Sequence, residues 1–175
     1  MTEHEATGDS DPSARCQIIR DTFAYNVCEC PNTQTAFEVV CAAMPEEDFA
    51  TAVQTPFLLA VCGGGASWAA RLHCDGDMRM LVFRPELEDL SWPEAVGEVA
   101  HELAHLALGH DHIEAFRPTD EFEACAKAAQ WGFGPEILDL VATVTQNEDP
   151  PYGWDDCVSR ADELAALVRE LGEHE

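Results

Sequence analysis

The chain has 175 residues, of which 46% are hydrophobic and 25% charged, a balance typical of one globular domain with its own core. Its 34 acidic and nine basic residues give a formal charge of −25, which argues against direct nucleic-acid binding and favours basic partners or substrates. No apolar run approaches the ~18 residues of a membrane span, so we expect no membrane association.

The N-terminal part of the chain is predicted to be helical after a short tail. Residues 1–13 are acidic, small and polar, which indicates a disordered tail, and residues 14–175 are expected to form a single domain. Apolar residues at helical spacing predict helices over residues 14–26, 35–44 and 45–53, with the segment "CPNT" separating the first two.

The middle of the chain has the texture of a small β-sheet. Asp75-Gly76 stands between the strand-like segments "ARLHC" and "MRMLVF", a pattern that predicts a hairpin and places residues 78–83 in a sheet. Gly63 to Gly65 form a loop and no phosphate cradle, because neither a Walker-type lysine nor a G-x-G-x-x-G pattern follows them. The fold class is therefore α+β, mostly helical, with one small sheet beside the helix that comes next.

That helix has clear start and stop signals. Ser91 and Glu94 form a capping-box pattern, Pro93 lies in the first turn, and Gly109 marks the end. Its residues are apolar or small on nearly every side, which predicts a buried helix. Downstream, further helices are predicted from residue 119 or 120 to 131, over 135–146 and over 155–171.

Within the buried helix, the segment "HELAH" is an H-E-x-x-H motif. His101 and His105 are four residues apart and therefore share one helix face, where both imidazoles can bind one Zn²⁺ ion. Glu102 lies beside them as a carboxylate for the water that zinc activates. The alternative is two core histidines satisfied by hydrogen bonds, but burying them beside Glu102 without a metal would be costly.

A catalytic zinc ion needs a third protein ligand, and two candidates follow the motif. Asp111 stands at the last position of a metzincin-like spacing, but Leu108 occupies the position where that pattern needs glycine. Glu121 lies on the next helix with Ala124 one turn later, as in the gluzincin arrangement. Glu123 lies ~200° away round that helix, on the face expected to meet solvent, so only one of the two glutamates can reach the metal. Glu121 is the predicted ligand.

The two helices together, "VGEVAHELAHLALGHDH" and "TDEFEACAKAAQWGFGP", resemble the ImmA/IrrE-type zinc metallopeptidases. The resemblance covers roughly residues 67–135. Cys125 departs from it, because that family usually carries an asparagine there, which is suited to supporting a ligand histidine. The positions that match the motifs of the family are His101, Glu102, His105, Glu121, Ala124, Ala128 and Ala129.

The resemblance implies a zincin-like domain that binds Zn²⁺ and cleaves a specific cytoplasmic protein, typically a helix-turn-helix repressor. His101, His105 and Glu121 would hold the metal, and Glu102 would be the catalytic base. His110, His112 and Tyr152 are candidate oxyanion-stabilising residues. The alternative hypothesis is a catalytically inactive, acidic zinc-binding protein that sequesters a basic partner.

The eight cysteines do not indicate a disulfide scaffold. They include no C-x-x-C pair, and no hydrophobic signal segment follows Met1. We therefore expect most of them to be small buried residues in a reducing cytoplasm.

Overall fold

A computed structural model describes residues 15, 30–53, 57–61, 67–72, 78–110, 117, 119–146 and 154–173. The predicted tail over residues 1–13, the glycine loop, the Asp75-Gly76 turn and the predicted first helix, apart from Arg15, lie outside these ranges. The division into a tail and a single domain over 14–175 remains a prediction.

The described residues form seven α-helices, three strands, one 3₁₀ helix and one π-helical turn. No helix among them combines the length and the apolar character needed to cross a membrane. In chain order the elements are α1 (Pro31–Ala43), α2 (Glu46–Val53), β1 (Phe57–Val61), β2 (Trp68–Leu72), β3 (Met78–Phe83), the 3₁₀ helix Pro85–Asp89, α3 (Trp92–Leu108), α4 (Asp120–Ala128), the π-helical turn Ala129–Phe133, α5 (Gly134–Thr145), α6 (Trp154–Ser159) and α7 (Ala161–Gly172).

The three strands form one mixed sheet with β3 in the centre. β3 pairs in parallel with β1 and antiparallel with β2, in a register that places Leu72 opposite Met78. The predicted pairing of the two segments around Asp75-Gly76 and the α+β fold class are thus confirmed. Leu81, Val82 and Phe83 at the end of β3 are all buried, because this end of the sheet is covered on both faces.

Helix α3 runs through the interior and is in contact with α1, α2, α4, α5 and β2. Its predicted boundaries are confirmed: Ser91 and Glu94 form the capping box, and Gly109 ends the helix in the left-handed conformation at φ 72°. The guanidinium of Arg79 on β3 donates to the carbonyl of Leu106 at 2.8 Å, which satisfies one carbonyl of the last turn. Hydrogen bonds therefore fix both ends of the helix, in addition to the packing of its side chains.

Helix α1 begins four residues earlier than predicted, at Pro31, so the segment "CPNT" contains the first turn of α1. The carboxylate of Glu88 caps this turn, accepting hydrogen bonds from the backbone N–H groups of Asn32 at 3.1 Å and Thr33 at 2.7 Å. Pro31 lacks an N–H group and needs no partner at the first helical position. The cap comes from 55 residues further along the chain, so the local sequence does not reveal it.

The C-terminal helices are divided differently from the prediction. α4 ends at Ala128 and continues as a π-helical turn, in which Gly132 has φ 95°, before α5 begins. The segment predicted as one helix over residues 155–171 forms α6 and α7, separated at Arg160 with φ −109° and ψ 18°. The guanidinium of Arg160 lies 3.4 Å from the ring centroid of Phe122, and this tertiary contact fixes the break.

Gly97 is required where α3 and α5 cross. A Cβ atom at this position would lie 2.6 Å from the carbonyl oxygen of Glu136, so the two backbones touch without an intervening side chain. Backbone atoms cannot move aside as a flexible side chain can. The close approach of the two helices therefore depends on the absence of a side chain at Gly97.

We therefore expect Gly97→Ala to lower the free energy of unfolding by about 1–3 kcal/mol, because α5 would have to move away from α3. Urea unfolding followed by circular dichroism measures the change. Gly172→Ala is the matched control, since nothing lies within 4 Å of the added methyl group, and it should be neutral or slightly stabilising. Equal effects of the two substitutions would contradict the assignment of a tight crossing at Gly97.

Candidate metal centre

Three side chains from two helices meet in the interior where α3 packs against α4. Nε2 of His101 lies 3.0 Å from Oε2 of Glu121, and Nε2 of His105 lies 3.7 Å from the same oxygen. The two imidazole nitrogens are 3.0 Å apart. One ligand atom from each residue lies within 4.8 Å of the others, and none of the three side chains is appreciably exposed. Two imidazole nitrogens and one carboxylate oxygen are a ligand set that zinc prefers.

The position of Glu121 follows from the small residues on its face of α4. Ala124 and Ala128, one and two turns further on, are fully buried, which lets α4 approach α3 closely. Glu123 points elsewhere, and its side chain is 46% exposed. The structure therefore brings Glu121, and not Glu123, to the two histidines. Asp111, the other candidate ligand, lies outside the described ranges.

Glu102 is buried beside this cluster, and its Oε2 atom has no hydrogen-bond partner among the described residues. Burial, and then the negative charges of Glu121 and Glu98, raise the pKa of Glu102 well above its usual range. A buried carboxyl oxygen without a hydrogen-bond partner is uncommon in native proteins, and a catalytic role or a bound ion is among its explanations.

Glu121 has the opposite electrostatic environment. Burial would raise its pKa, but the hydrogen bond from His101 and the nearby imidazole of His105 outweigh burial and hold the pKa of Glu121 well below its usual range. The contacts with the histidines thus favour the charged form of Glu121, whereas burial favours the neutral form of Glu102. Two carboxyl groups driven in opposite directions are typical of a site in which one binds and the other transfers protons.

A partly buried ion pair ties the helix of the site to the sheet. The guanidinium of Arg84, which follows β3, donates to the carboxylate of Glu98 through Nη2 at 2.6 Å and through Nε at 3.0 Å. Ser67, just before β2, donates to the same carboxylate through its hydroxyl group. Glu98 lies one turn before Glu102 on α3, so this network fixes the rotation of the helix relative to both strands.

Apart from Glu121 and His105, Cys125 and Trp154 contact His101 directly, and Cys157 lies behind Cys125. Sγ of Cys125 lies 3.4 Å from Nδ1 of His101, at the position where an amide was expected to support the ligand. Sγ of Cys157 lies 3.3 Å from Sγ of Cys125. The indole of Trp154 lies over the imidazole of His101, with ring centroids 4.7 Å apart and a tilt of 32°. No motif or spacing in the sequence indicated the contacts from Cys157 and Trp154, which lie on α6.

His105 is held from behind by His110, whose Nδ1 atom lies 2.9 Å from Nδ1 of His105. Gly109 turns the chain at the end of α3, and the backbone N–H of His110 then donates to the carbonyl of His105 at 2.9 Å. His110 therefore contacts the ring nitrogen that faces away from Glu121. A glycine cap followed by histidine was the available sequence signal for this contact. His112 and Tyr152, the other oxyanion candidates, lie outside the described ranges.

A second group of potential metal ligands, formed by His110, Asp120 and Glu123, lies behind the first. The guanidinium of Arg117 already pairs with the two carboxylates of this group, at 2.6 Å from Oδ1 of Asp120 and 3.4 Å from Oε2 of Glu123. This group therefore behaves as an ion-pair network around His110.

The chemistry of the donor set agrees with a divalent cation held by His101, His105 and Glu121. These residues provide the two nitrogens and one oxygen of a three-ligand zinc site, and the unpartnered oxygen of Glu102 lies beside them. A cation would offset the charges that now surround Glu102. The residues present thus fit a metal.

Comparison with known protein families agrees with this geometry. Residues 58–129 match a family described as "Putative metallopeptidase domain", and the matched segment runs from β1 to the π-helical turn, including both helices of the site. The match supports a metallopeptidase, and with it a metal cofactor and protein substrates, without indicating the ImmA/IrrE type. No curated protein and no solved structure matches the chain.

The ion pair between β3 and α3 predicts a measurable coupling. Arg84→Leu should lower the free energy of unfolding by about 2 kcal/mol, because it leaves the Glu98 carboxylate buried without its cation. Adding Glu98→Gln in the same chain should restore most of that loss, since the buried charge is then removed as well. Urea unfolding of the two single variants and the double variant measures the coupling. Purely additive effects would show that the pair does not hold the helix.

Proposed function

We propose that the protein is a zinc-dependent endopeptidase in which His101, His105 and Glu121 hold the metal and Glu102 is the catalytic base. The observation that carries this proposal is the meeting of three buried ligand atoms within 4.8 Å beside a buried carboxyl oxygen that has no described partner. The family match over residues 58–129 supports the same class of enzyme.

Each residue has a separate task in this mechanism. His101 and His105 present nitrogen atoms from one helix face, and Glu121 contributes the charged oxygen from α4. Zinc in such a site polarises a peptide carbonyl and makes a water molecule acidic enough to attack near neutral pH. Glu102, which no described residue engages at Oε2, accepts the proton of that water and passes it to the leaving amine.

The substrate of this proposal is an extended segment of a basic cytoplasmic protein, of the helix-turn-helix repressor type. β2 is an edge strand among the described strands of the sheet and packs against α3, so a peptide pairing with its outer edge would run beside the helix of the site. The formal charge of −25 favours a basic substrate. The choice of a repressor as the substrate rests on the resemblance to ImmA/IrrE-type enzymes.

One observation favours the alternative of an inactive zinc-binding protein that sequesters a basic partner. Nδ1 of His101 faces the sulfur of Cys125 at 3.4 Å, and sulfur is a weaker hydrogen-bond partner than an amide oxygen. The two functions differ in whether a bound basic protein is cleaved.

Metal binding is the first test. We expect one zinc ion per chain after dialysis against metal-free buffer, and less than one tenth of that in the double variant His101→Ala, His105→Ala. Mass spectrometry of the metal content gives the stoichiometry. Glu123→Gln is the matched control on α4 and should keep its zinc ion. Stoichiometric zinc in the double variant would rule out this site.

The second test separates enzyme from binding protein. Glu102→Gln should keep the zinc content and the unfolding temperature of the natural chain and lose cleavage about 10²–10⁴-fold, because the side chain serves the water and not the metal. A basic helix-turn-helix repressor is the substrate to try, with fragments identified by mass spectrometry. Tight binding of an intact repressor by the zinc-loaded natural chain would favour the alternative.

A further inference from the structure

The contact between His105 and His110 has no role in the mechanism above. The two Nδ1 atoms are 2.9 Å apart, both side chains are buried, and the ring centroids lie 5.1 Å apart at 62°. We infer that His110 is a positioning residue, which fixes the tautomer and orientation of His105 so that Nε2 of His105 presents its lone pair to the metal. This inference deepens the proposed function and rests on it for the identity of the metal site.

One proton must lie between the two Nδ1 atoms, because two unprotonated nitrogens or two N–H groups at this distance would repel each other. If His105 carries it, Nε2 of His105 is unprotonated and can bind a metal. If His110 carries it and His105 is neutral, the proton of His105 is on Nε2, where it blocks the metal. The contact therefore decides whether His105 can act as a ligand.

The residues around His110 favour the first arrangement. Nε2 of His110 lies 3.3 Å from Oε2 of Glu123 and 3.7 Å from Oδ1 of Asp120. Carboxylates only accept hydrogen bonds, so they favour a proton on Nε2 of His110. Arg117 lies 2.6 Å from Oδ1 of Asp120 and 3.4 Å from Oε2 of Glu123, so a cation already pairs with both carboxylates. With its proton on Nε2, His110 accepts at Nδ1, and His105 donates.

The other side of His105 agrees with this assignment. Oε2 of Glu121 can only accept, so Nε2 of His101, 3.0 Å away, carries the proton in the metal-free protein. That N–H group also faces Nε2 of His105 at 3.0 Å, which is then the accepting nitrogen. The contacts of His105 with His110 and with His101 thus agree on one tautomer, with the proton on Nδ1.

The backbone holds His110 where this contact requires it. Gly109 adopts φ 72° at the end of α3, and the next N–H returns to the carbonyl of His105. The residue that follows the helix is therefore folded back over the last turn. A partner placed by the helix cap is rigid, and rigid support of a ligand histidine typically changes metal affinity 10–100-fold.

Two substitutions and two measurements test the inference. His110→Asn keeps an oxygen that can accept from Nδ1 of His105, whereas His110→Leu keeps the bulk and removes the acceptor. Long-range ¹H–¹⁵N correlation spectra of the metal-free protein should show His105 protonated at Nδ1 in the natural chain and in His110→Asn. His110→Leu should lose that single tautomer. Competition with a chromophoric chelator should show zinc bound about 10–100-fold more weakly by His110→Leu, with most of the affinity recovered in His110→Asn.

Several outcomes would overturn the inference. One is a natural chain with His105 protonated at Nε2 in the metal-free state. Another is zinc affinity unchanged in His110→Leu, or equally weakened in both variants while their unfolding temperatures match that of the natural chain. If the natural chain binds no zinc, the proposed function fails, and the tautomer of His105 in the metal-free spectra still decides the role of His110 by itself.

Discussion

The structure depends on one constraint, the burial of four ionisable side chains on a single hydrophobic helix. Glu98, His101, Glu102 and His105 all lie on α3, and none is more than 6% exposed. A buried polar group without a partner costs about 1–3 kcal/mol, and more if it is charged. The surrounding elements must therefore supply partners, which explains why strands, a cap and two further helices all send side chains towards α3.

The partners come from different parts of the chain, and each has a different chemical character. Arg84 neutralises Glu98, a sulfur lies against His101, and a second imidazole lies against His105. Of the four buried ionisable side chains on α3, only Glu102 retains a carboxyl oxygen without a described hydrogen bond, whereas the other three have partners. The surroundings of α3 therefore do more than form a hydrophobic core.

Much of this arrangement could be predicted from the sequence, where the determining interactions are local. The capping box at Ser91, the end at Gly109 and the opposite directions of Glu121 and Glu123 all follow from helix geometry within a few residues. The start of α1 could not be predicted, because its cap is Glu88. The break at Arg160 was missed for the same reason, since the ring of Phe122 holds it. His110, which contacts the ring of His105, was predicted from the sequence only as a candidate oxyanion-stabilising residue.

The division between the matched segment and the rest of the chain is also informative. Residues 58–129 contain both helices that carry the proposed ligands, whereas two of the side chains that support His101 lie on α6. Trp154 covers the imidazole, and Cys157 contacts the sulfur behind it. The proposed ligands and part of their support thus come from different segments of the chain, one inside the matched range and one beyond it.

The position of His105 in the last turn of α3 links the site to the local stability of that helix end. Terminal turns open more readily than the middle of a helix, and opening here would break the backbone bond from His110 to the carbonyl of His105 together with the contact between their rings. A ligand available only while the turn is closed lowers the apparent affinity by the closed fraction. Binding, in return, would hold the turn closed and slow the exchange of its amide hydrogens with solvent, so that the end of α3 would become more ordered when the site is filled.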